Sequence, residues 1–336
     1  MKKAKNGPSS KHHSLNEFCR ALSRHKKILL ACHIAPEGDA IGSILAMESL
    51  LRRMGKKTTV VAEDIFPERL FCLSAKRWIL IDQVKNFAAY DAIVIADCPT
   101  LERTGRVRER LSPSTVIFNI DHHISNRLFG HYNYVRPEAA ASGEVVFDIF
   151  KHFRMKLNKD EATNLYVALS TDTGSFKYGN TTVRSHQMAA ELIKTGIDLE
   201  KINDDLYATY SLNKINLYSR LLAKVKTAEN GKIAWVGMKR EDLQHSGATY
   251  EDTEGFIDFL KYLREVKVAF FMSEAAQNSS IRVSFRSKDA LDVNKVATAF
   301  NGGGHKKASG CTLRMDLKEA EQALLARIGK VHPNLS

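Results

Sequence analysis

The sequence predicts an α/β protein with an N-terminal, mostly parallel sheet carrying helices on both faces, a helical connection, and a smaller C-terminal α/β domain. Three observations carry this reading. From Lys27 to about residue 170, short continuous apolar runs alternate with amphipathic stretches, the pattern of strands buried on both faces. From about Ser185 to Lys226 helical periodicity continues with no convincing strand. Near Gly231 strand-like runs begin again, and a length of 336 residues suits two domains, each with its own core.

Residues 1–14 are basic and interrupted by Gly, Pro, Ser and Asn, which predicts a disordered tail. KILLACH (27–33) reads as a buried strand, AIGSILAMESLLRRMG (40–55) as a helix closed by Gly55, and TTVVAE (58–63) as the next strand. DAIVIAD (91–97) and STVIFNID (114–121) repeat the signature of β-rich runs bounded by polar residues. Helical periodicity follows over 142–170. In the second half, KIAWVGM (232–238), VKVAFFMSEA (266–275) and SIRVSFRS (280–287) read as strands, followed by a helix from Asp292 and a terminal helix from Asp316. The expected limits are therefore 1–14 for the tail, 15–184 for the first domain, 185–228 for a helical linker and 229–336 for the second domain.

Charge adds a hint about partners. The formal net charge is +12, and it is clustered: residues 1–27 hold eight Lys or Arg against one acid, and residues 282–307 hold six against two. A cluster binds phosphates where a spread excess only aids solubility, so a polyanionic partner is expected. The five cysteines (19, 32, 72, 98 and 311) form no CxxC pair, which argues against a disulfide framework and against a structural zinc site. The apolar run Ile28 to Ala31 is far too short for a signal-peptide core or a membrane span. A cytoplasmic protein with no membrane partner is the expectation.

In parallel sheets, ligands bind at the carboxyl ends of strands, and the polar residues after these runs form a pattern. His33 ends the first run and leads through HIAPEGDAIGS to Glu37 and Asp39; Asp97 ends another; Asp121, His122 and His123 end a third; and Asp172 lies in STDTGSF after the helical stretch. Carboxylates gathered at one sheet edge repel one another unless cations neutralise them. Imidazole and carboxylate without thiolate suit Mn²⁺ or a similar divalent ion, and two ions are the natural number for this many ligands.

On these motifs the sequence resembles the DHH phosphoesterase superfamily, named for the triplet seen as Asp121-His122-His123, and within it the branch of bifunctional oligoribonucleases and pAp phosphatases. GGGHKKASG (302–310), with the preceding VSFRSKDALDVNKVA (283–297), is similar to the DHH-associated C-terminal domain of that branch. The resemblance implies that 15–184 is catalytic and that 229–336 binds substrate. It also implies that His33, Glu37 and Asp97 hold one metal and that Asp39, Asp97, His122 and Asp172 hold the other, with Asp97 bridging. Asp121 would orient a neighbouring imidazole, and His123 would stabilise the scissile phosphate or protonate the leaving oxygen. Glu37 departs from the Asp usual at its position. Arg286, Gly302, Gly303, Gly304, His305 and, more weakly, Lys288 are the expected substrate contacts, since backbone free of Cβ lets N–H groups approach a phosphate and Arg binds it bidentately.

The implied activity is two-metal hydrolysis by a metal-bound hydroxide, with two Mn²⁺ per site and Mg²⁺ or Co²⁺ as possible substitutes. Its substrates would be short RNA oligonucleotides, linear dinucleotides such as pGpG or pApA, and pAp. A homodimer is the family-level expectation. The competing readings are a RecJ-like single-strand exonuclease, a cyclic dinucleotide phosphodiesterase, an inorganic pyrophosphatase and a non-catalytic nucleic-acid binder.

Overall fold

The computed structural model describes residues 11–67, 70, 72, 73, 75–208, 210–275, 280–289 and 291–335, without the side chains of Ala75, His305 and Asn334. The chain divides into two units, residues 1–209 and residues 210–336. Most of the stretch expected to be disordered, residues 1–10, lies outside the described residues. Residues 11–14 of it lie against the first sheet: His13 N donates to Asn133 O at 2.8 Å, and Asn133 Nδ2 donates to Lys11 O at 3.1 Å.

The apolar runs of the first unit assemble into one sheet. β1 (Lys27–Ala31), β2 (Lys57–Ala62), β3 (Trp78–Leu80), β4 (Ala92–Ala96), β5 (Val116–Asp121) and β6 (Tyr132–Val135) lie in the order β3-β2-β1-β4-β5-β6, with every pairing parallel. The five residues of β4 are all buried, as a continuous Ala-Ile-Val-Ile-Ala run demands. On one face Ile28, Leu30, Val94 and Phe118 pack against α1 (Leu15–Ser23), α2 (Gly38–Arg53), α4 (Ser142–His152) and α5 (Lys159–Asp172). On the other face Leu29, Ile93 and Ile95 are covered by the short α3 (Val107–Arg110) and by 3₁₀ turns that supply Ile81 and Phe87. Long helices thus lie on one face only. Pro67, Pro99, Pro113 and Gly105 interrupt the crossings on the other.

Two glycines set how closely α2 approaches α5. A Cβ on Gly38 would sit 2.5 Å from Thr171 Cγ2, and one on Gly42, a turn later, 2.2 Å from Asn164 O. Contact this tight between helix backbones is open only to glycine. It brings the start of α2 against the end of α5. α6 (Val183–Ile193) and α7 (Leu199–Tyr207) add Met188, Leu192 and Ile202 to the same core.

The second unit starts with α8 (Leu212–Leu222), so the helical stretch read at 185–228 is shared between the two units. Its sheet runs β11-β12-β10-β9-β8-β7, with β7 (Lys226–Ala228), β8 (Ile233–Met238), β9 (Val268–Glu274), β10 (Ile281–Ser287), β11 (Gly303–His305) and β12 (Ala308–Leu313). β8 and β9 pair in parallel and the other neighbours antiparallel. One face packs through Phe270, Val283 and Phe285 on α11 (Asn294–Thr298) and α12 (Leu317–Val331). The other packs through Ala234, Val236 and Phe271 on α8, α9 (Arg240–Ser246) and α10 (Phe256–Tyr262). Among the described residues no helix is long and apolar enough to cross a membrane.

Candidate active site

The strand order of the first sheet reverses between β1 and β4, the position where parallel sheets open a crevice at their carboxyl ends. His33 follows β1, Asp97 follows β4, and Asp121 ends β5 with His122 and His123 directly behind it. Asp39 lies in the first turn of α2 and Asp172 ends α5, so the close α2–α5 crossing delivers both to the same edge. Asp97 is turned there by a left-handed backbone, φ 56°, which costs a non-glycine residue about 1–2 kcal/mol. Its N–H still donates to Ile120 O at 2.9 Å, continuing the ladder beyond β4.

These groups converge. His122 Nε2 lies 3.3 Å from Asp172 Oδ2, 3.7 Å from Asp97 Oδ1 and 3.8 Å from Asp39 Oδ2. The other oxygen of Asp97 faces His33, with Oδ2 3.5 Å from Nε2. His123 Nδ1 is 2.7 Å from Asp121 Oδ1 and 3.7 Å from Asp97 Oδ1. Asp97 with His122 and His123, and Asp39 with His122 and Asp172, each present three ligand atoms within 4.8 Å of one another.

Backbone groups fix the orientations. His122 Nδ1 lies 3.1 Å from Ala139 O; a carbonyl only accepts, so Nδ1 carries a proton and Nε2, once it gives up its own, is the nitrogen free to bind a cation beside the carboxylates. Asp39 accepts from the N–H groups of Ser142 at 2.6 Å and Gly143 at 2.9 Å, the first amides of α4, whose dipole favours negative charge. Ser142 Oγ also donates to Asp97 Oδ1 at 3.0 Å. The fully buried Asp121 accepts from His122 N at 2.9 Å and from Asn126 Nδ2 at 2.5 Å, and so holds the His123 ring from a fixed position.

The electrostatics show what the cluster lacks. Burial pushes Asp39 well above the usual carboxylate range, and the charges of Asp97 and Asp172 add to the shift. Burial also raises Asp172, to about 6, against the pull of His122. Burial would lower His122, but Asp39, Asp172 and Asp97 outweigh it and lift the imidazole to about 9. Asp97 runs the opposite way: despite burial, His33, His122 and His123 bring it down to about 2. The cluster therefore retains protons where positive charge is wanted, and its oxygen and nitrogen donors fit a divalent metal ion. Cys32 and Cys98 are no rivals as ligands, since burial pushes Cys98 up to about 12 and Cys32 well above its normal range.

Of the residues singled out from the sequence, His33, Asp39, Asp97, Asp121, His122, His123 and Asp172 come together. Glu37 does not join either triad: it occupies the N-cap position of α2, exposed and without a capping hydrogen bond, close enough to Asp172 for its charge to raise that carboxyl. Ser142, Gly143 and Asn126 escaped the sequence reading. Ser-Gly at the start of a helical stretch is the only local sign of the first two, and Asn126, three residues beyond His123, has none.

In the second unit, Arg286 pairs with Asp258 at 3.4 Å and donates to its own strand's Phe285 O at 3.1 Å. Lys288 donates to Leu263 O at 2.7 Å and Arg264 O at 3.4 Å, just past the C-terminus of α10 where a cation complements the dipole. That engagement gives Lys288 a structural duty. The glycine-rich segment 302–310 is a hairpin, β11 and β12 joined at Lys306-Lys307, with His305 paired to Ala308. A Cβ would meet Gly310 O at 2.2 Å from Gly302 and Ala308 O at 2.6 Å from Gly304, whereas Gly303 faces open space. The His305 side chain lies outside the described residues.

Comparison with known proteins agrees with this geometry. The model of the DHH family, N-terminal domain, matches residues 27–169, and that of the DHHA1 domain matches residues 230–331. A bifunctional oligoribonuclease and PAP phosphatase NrnA of Thermus thermophilus is 29% identical over 90% of this chain and 89% of its own length. Its Bacillus subtilis namesake is 28% identical over 88% and 92%. The crystal structure of an exopolyphosphatase-related protein from Bacteroides fragilis superposes with a TM-score of 0.89 at 28% identity, covering 96% of this chain and 97% of that one.

Proposed function

The chain carries a DHH-family N-terminal domain followed by a DHHA1 domain, and on that premise we propose that it is a Mn²⁺-dependent phosphoesterase of very short oligoribonucleotides. Its products are nucleoside monophosphates; linear dinucleotides such as pGpG and pApA are among its substrates, and it also removes the 3′-phosphate of pAp to give AMP. The observation that carries the reading is the convergence of Asp39, Asp97, Asp172 and His122 at the carboxyl edge of the sheet. Likeness over about nine-tenths of both chains to relatives named as oligoribonucleases and PAP phosphatases supports the substrate class.

His33, Glu37 and Asp97 would hold one ion, and Asp39, Asp97, His122 and Asp172 a second. When bound, such ions activate a water and offset charge developing at phosphorus. The two oxygens of Asp97 face His33 and His122 separately, which supports a bridging role. His123, held through Nδ1 by Asp121, would protonate the departing ester oxygen; both its position and its raised pKa suit a general acid, burial being outweighed by the hydrogen bond to Asp121 together with the charges of Asp121 and Asp97. Ser142, bonded to Asp39 and Asp97, keeps the carboxylates in register.

The test is a Mn²⁺ turnover panel of pApA, a five-nucleotide RNA, a 24-nucleotide RNA, single-stranded DNA, pAp and inorganic polyphosphate. The dinucleotide, the five-mer and pAp should be consumed fastest. Preference for the 24-mer or DNA would support an exonuclease of long strands, and preference for polyphosphate would move the substrate class to polyphosphate, in line with the exopolyphosphatase-related protein of Bacteroides fragilis.

A further inference from the structure

The face of the second sheet that packs on α8, α9 and α10 is covered over β8 and β9 and, through α10, at the Arg286 end of β10. Across β10 and β12 the cross-strand register places Arg282 opposite Thr312, Ser284 opposite Gly310 and Arg286 opposite Ala308. The middle of this surface therefore bears small side chains, with guanidinium groups at both ends. Arg282 and Arg286 share a face of one strand four residues apart, about 13 Å at a strand's rise per residue.

A cavity of about 650 Å³ opens at the Arg282 end, lined by Arg282, Ser284, Phe300, Gly310, Thr312 and Arg314 among others. Among the described residues no carboxylate lines it. Arg282 and Arg314 are exposed, and neither has a hydrogen bond or ion pair among the described residues. Several other cations of the unit are engaged, among them Arg286 on Asp258, Lys267 on Asp289 and Lys226 on Glu321. Glu274 and Asp316 line an adjoining cavity that Arg314 also borders; neither pairs with it, Glu274 accepting from Arg240 N at 2.9 Å and Asp316 from the first amides of α12 at 2.8 Å. The ring of Phe300 is half-buried at the cavity wall, its inner side on the core.

Two unpaired guanidinium groups beside an aromatic wall, on a floor of small side chains, match a phosphate with its attached base. We propose that this cavity is a subsite for a further nucleotide of an oligonucleotide, its phosphate held by Arg282 and Arg314 and its base stacked on Phe300. The proposal deepens the oligoribonuclease reading and rests on it: with a terminal nucleotide gripped at Arg286 in place of Asp258, the second grip lies beyond the reach of the two phosphates of pAp but within that of a short strand. The second sheet then selects for length, adding affinity for strands of several nucleotides and none for a mononucleotide.

The test compares the full chain with Arg282→Gln/Arg314→Gln and with Phe300→Leu, which keeps the buried contact but removes the stacking ring. Binding of a fluorescein-labelled five-nucleotide RNA is followed by anisotropy, and turnover of the five-mer and of pAp is measured with Mn²⁺. The double variant should bind the five-mer about tenfold more weakly and raise its KM to match, with kcat and pAp turnover unchanged; Phe300→Leu should weaken five-mer binding about threefold or more. Unchanged five-mer binding, or an equal loss on pAp, overturns the subsite. If wild type binds the five-mer through these arginines but does not cleave it, the activity reading fails and the subsite stands.

Discussion

At the edge of the first sheet Asp39, Asp97 and Asp121 are buried and held by amide, hydroxyl and imidazole donors, whereas on the open face of the second sheet Arg282 and Arg314 stand in solvent without partners among the described residues. A buried charge is tolerable only where the fold has already aimed dipoles and counter-charges at it. An exposed cation costs little and waits for its anion. The first region therefore depends on the whole unit for its geometry, and the second is adjustable one side chain at a time.

That contrast is tested most severely at Asp97. Asp97→Asn keeps a residue type that tolerates the left-handed backbone but halves the carboxylate's acceptor capacity, and turnover with Mn²⁺ should fall by roughly 10³-fold. Activity within tenfold of wild type would show that Asp97 bridges nothing. Next in size is Gly42→Ala, which sets a methyl 2.2 Å from Asn164 O; overpacking of this kind costs about 1–3 kcal/mol. Its thermal midpoint should drop and its metal affinity with it, because Asp39 and Asp172 approach each other through this helix crossing. A lower midpoint with intact affinity would uncouple the crossing from the site.

A third outcome concerns pH. In the metal-free protein His122 is protonated up to about 9 and Asp172 up to about 6, so a cation must displace protons to bind. Apparent Mn²⁺ affinity should climb as pH rises from 6 to 9 and flatten above. Calorimetry in buffers of different ionisation enthalpy should register the released protons, and a flat profile would remove His122 from the ligand set. The smallest effect is expected at Glu37→Asp, since Glu37 is exposed and outside both triads; Mn²⁺-dependent kcat should stay within about threefold of wild type, a sub-kcal/mol change in barrier. Complete loss would mean that the site is built around the longer side chain.

Much of this arrangement was legible before the structure. The continuous apolar runs that became β1, β4 and β5 end in residues that converge, because a parallel sheet sends all its strand ends to one edge. β3 and β11, at three residues each, are too short to leave a period, and β6 is one residue longer with a buried Asn in its middle. Ser142 and Asn126 matter only through partners far away in sequence or through a turn, so no local pattern marks them. Gly38 read as part of the segment before the helix and Gly42 as an ordinary helix residue; their purpose exists only once α5 lies across them.

The glycine run at 302–304 carries a warning for saturation mutagenesis. Substitutions at Gly302 and Gly304 will be depleted because each displaces the neighbouring strand, while Gly303, with nothing within 4 Å of a would-be Cβ, can accept alanine without displacing a neighbour. A fitness map of this hairpin will thus alternate intolerant, tolerant, intolerant. Depletion at the two outer positions will therefore report on strand packing whether or not their backbone touches the substrate.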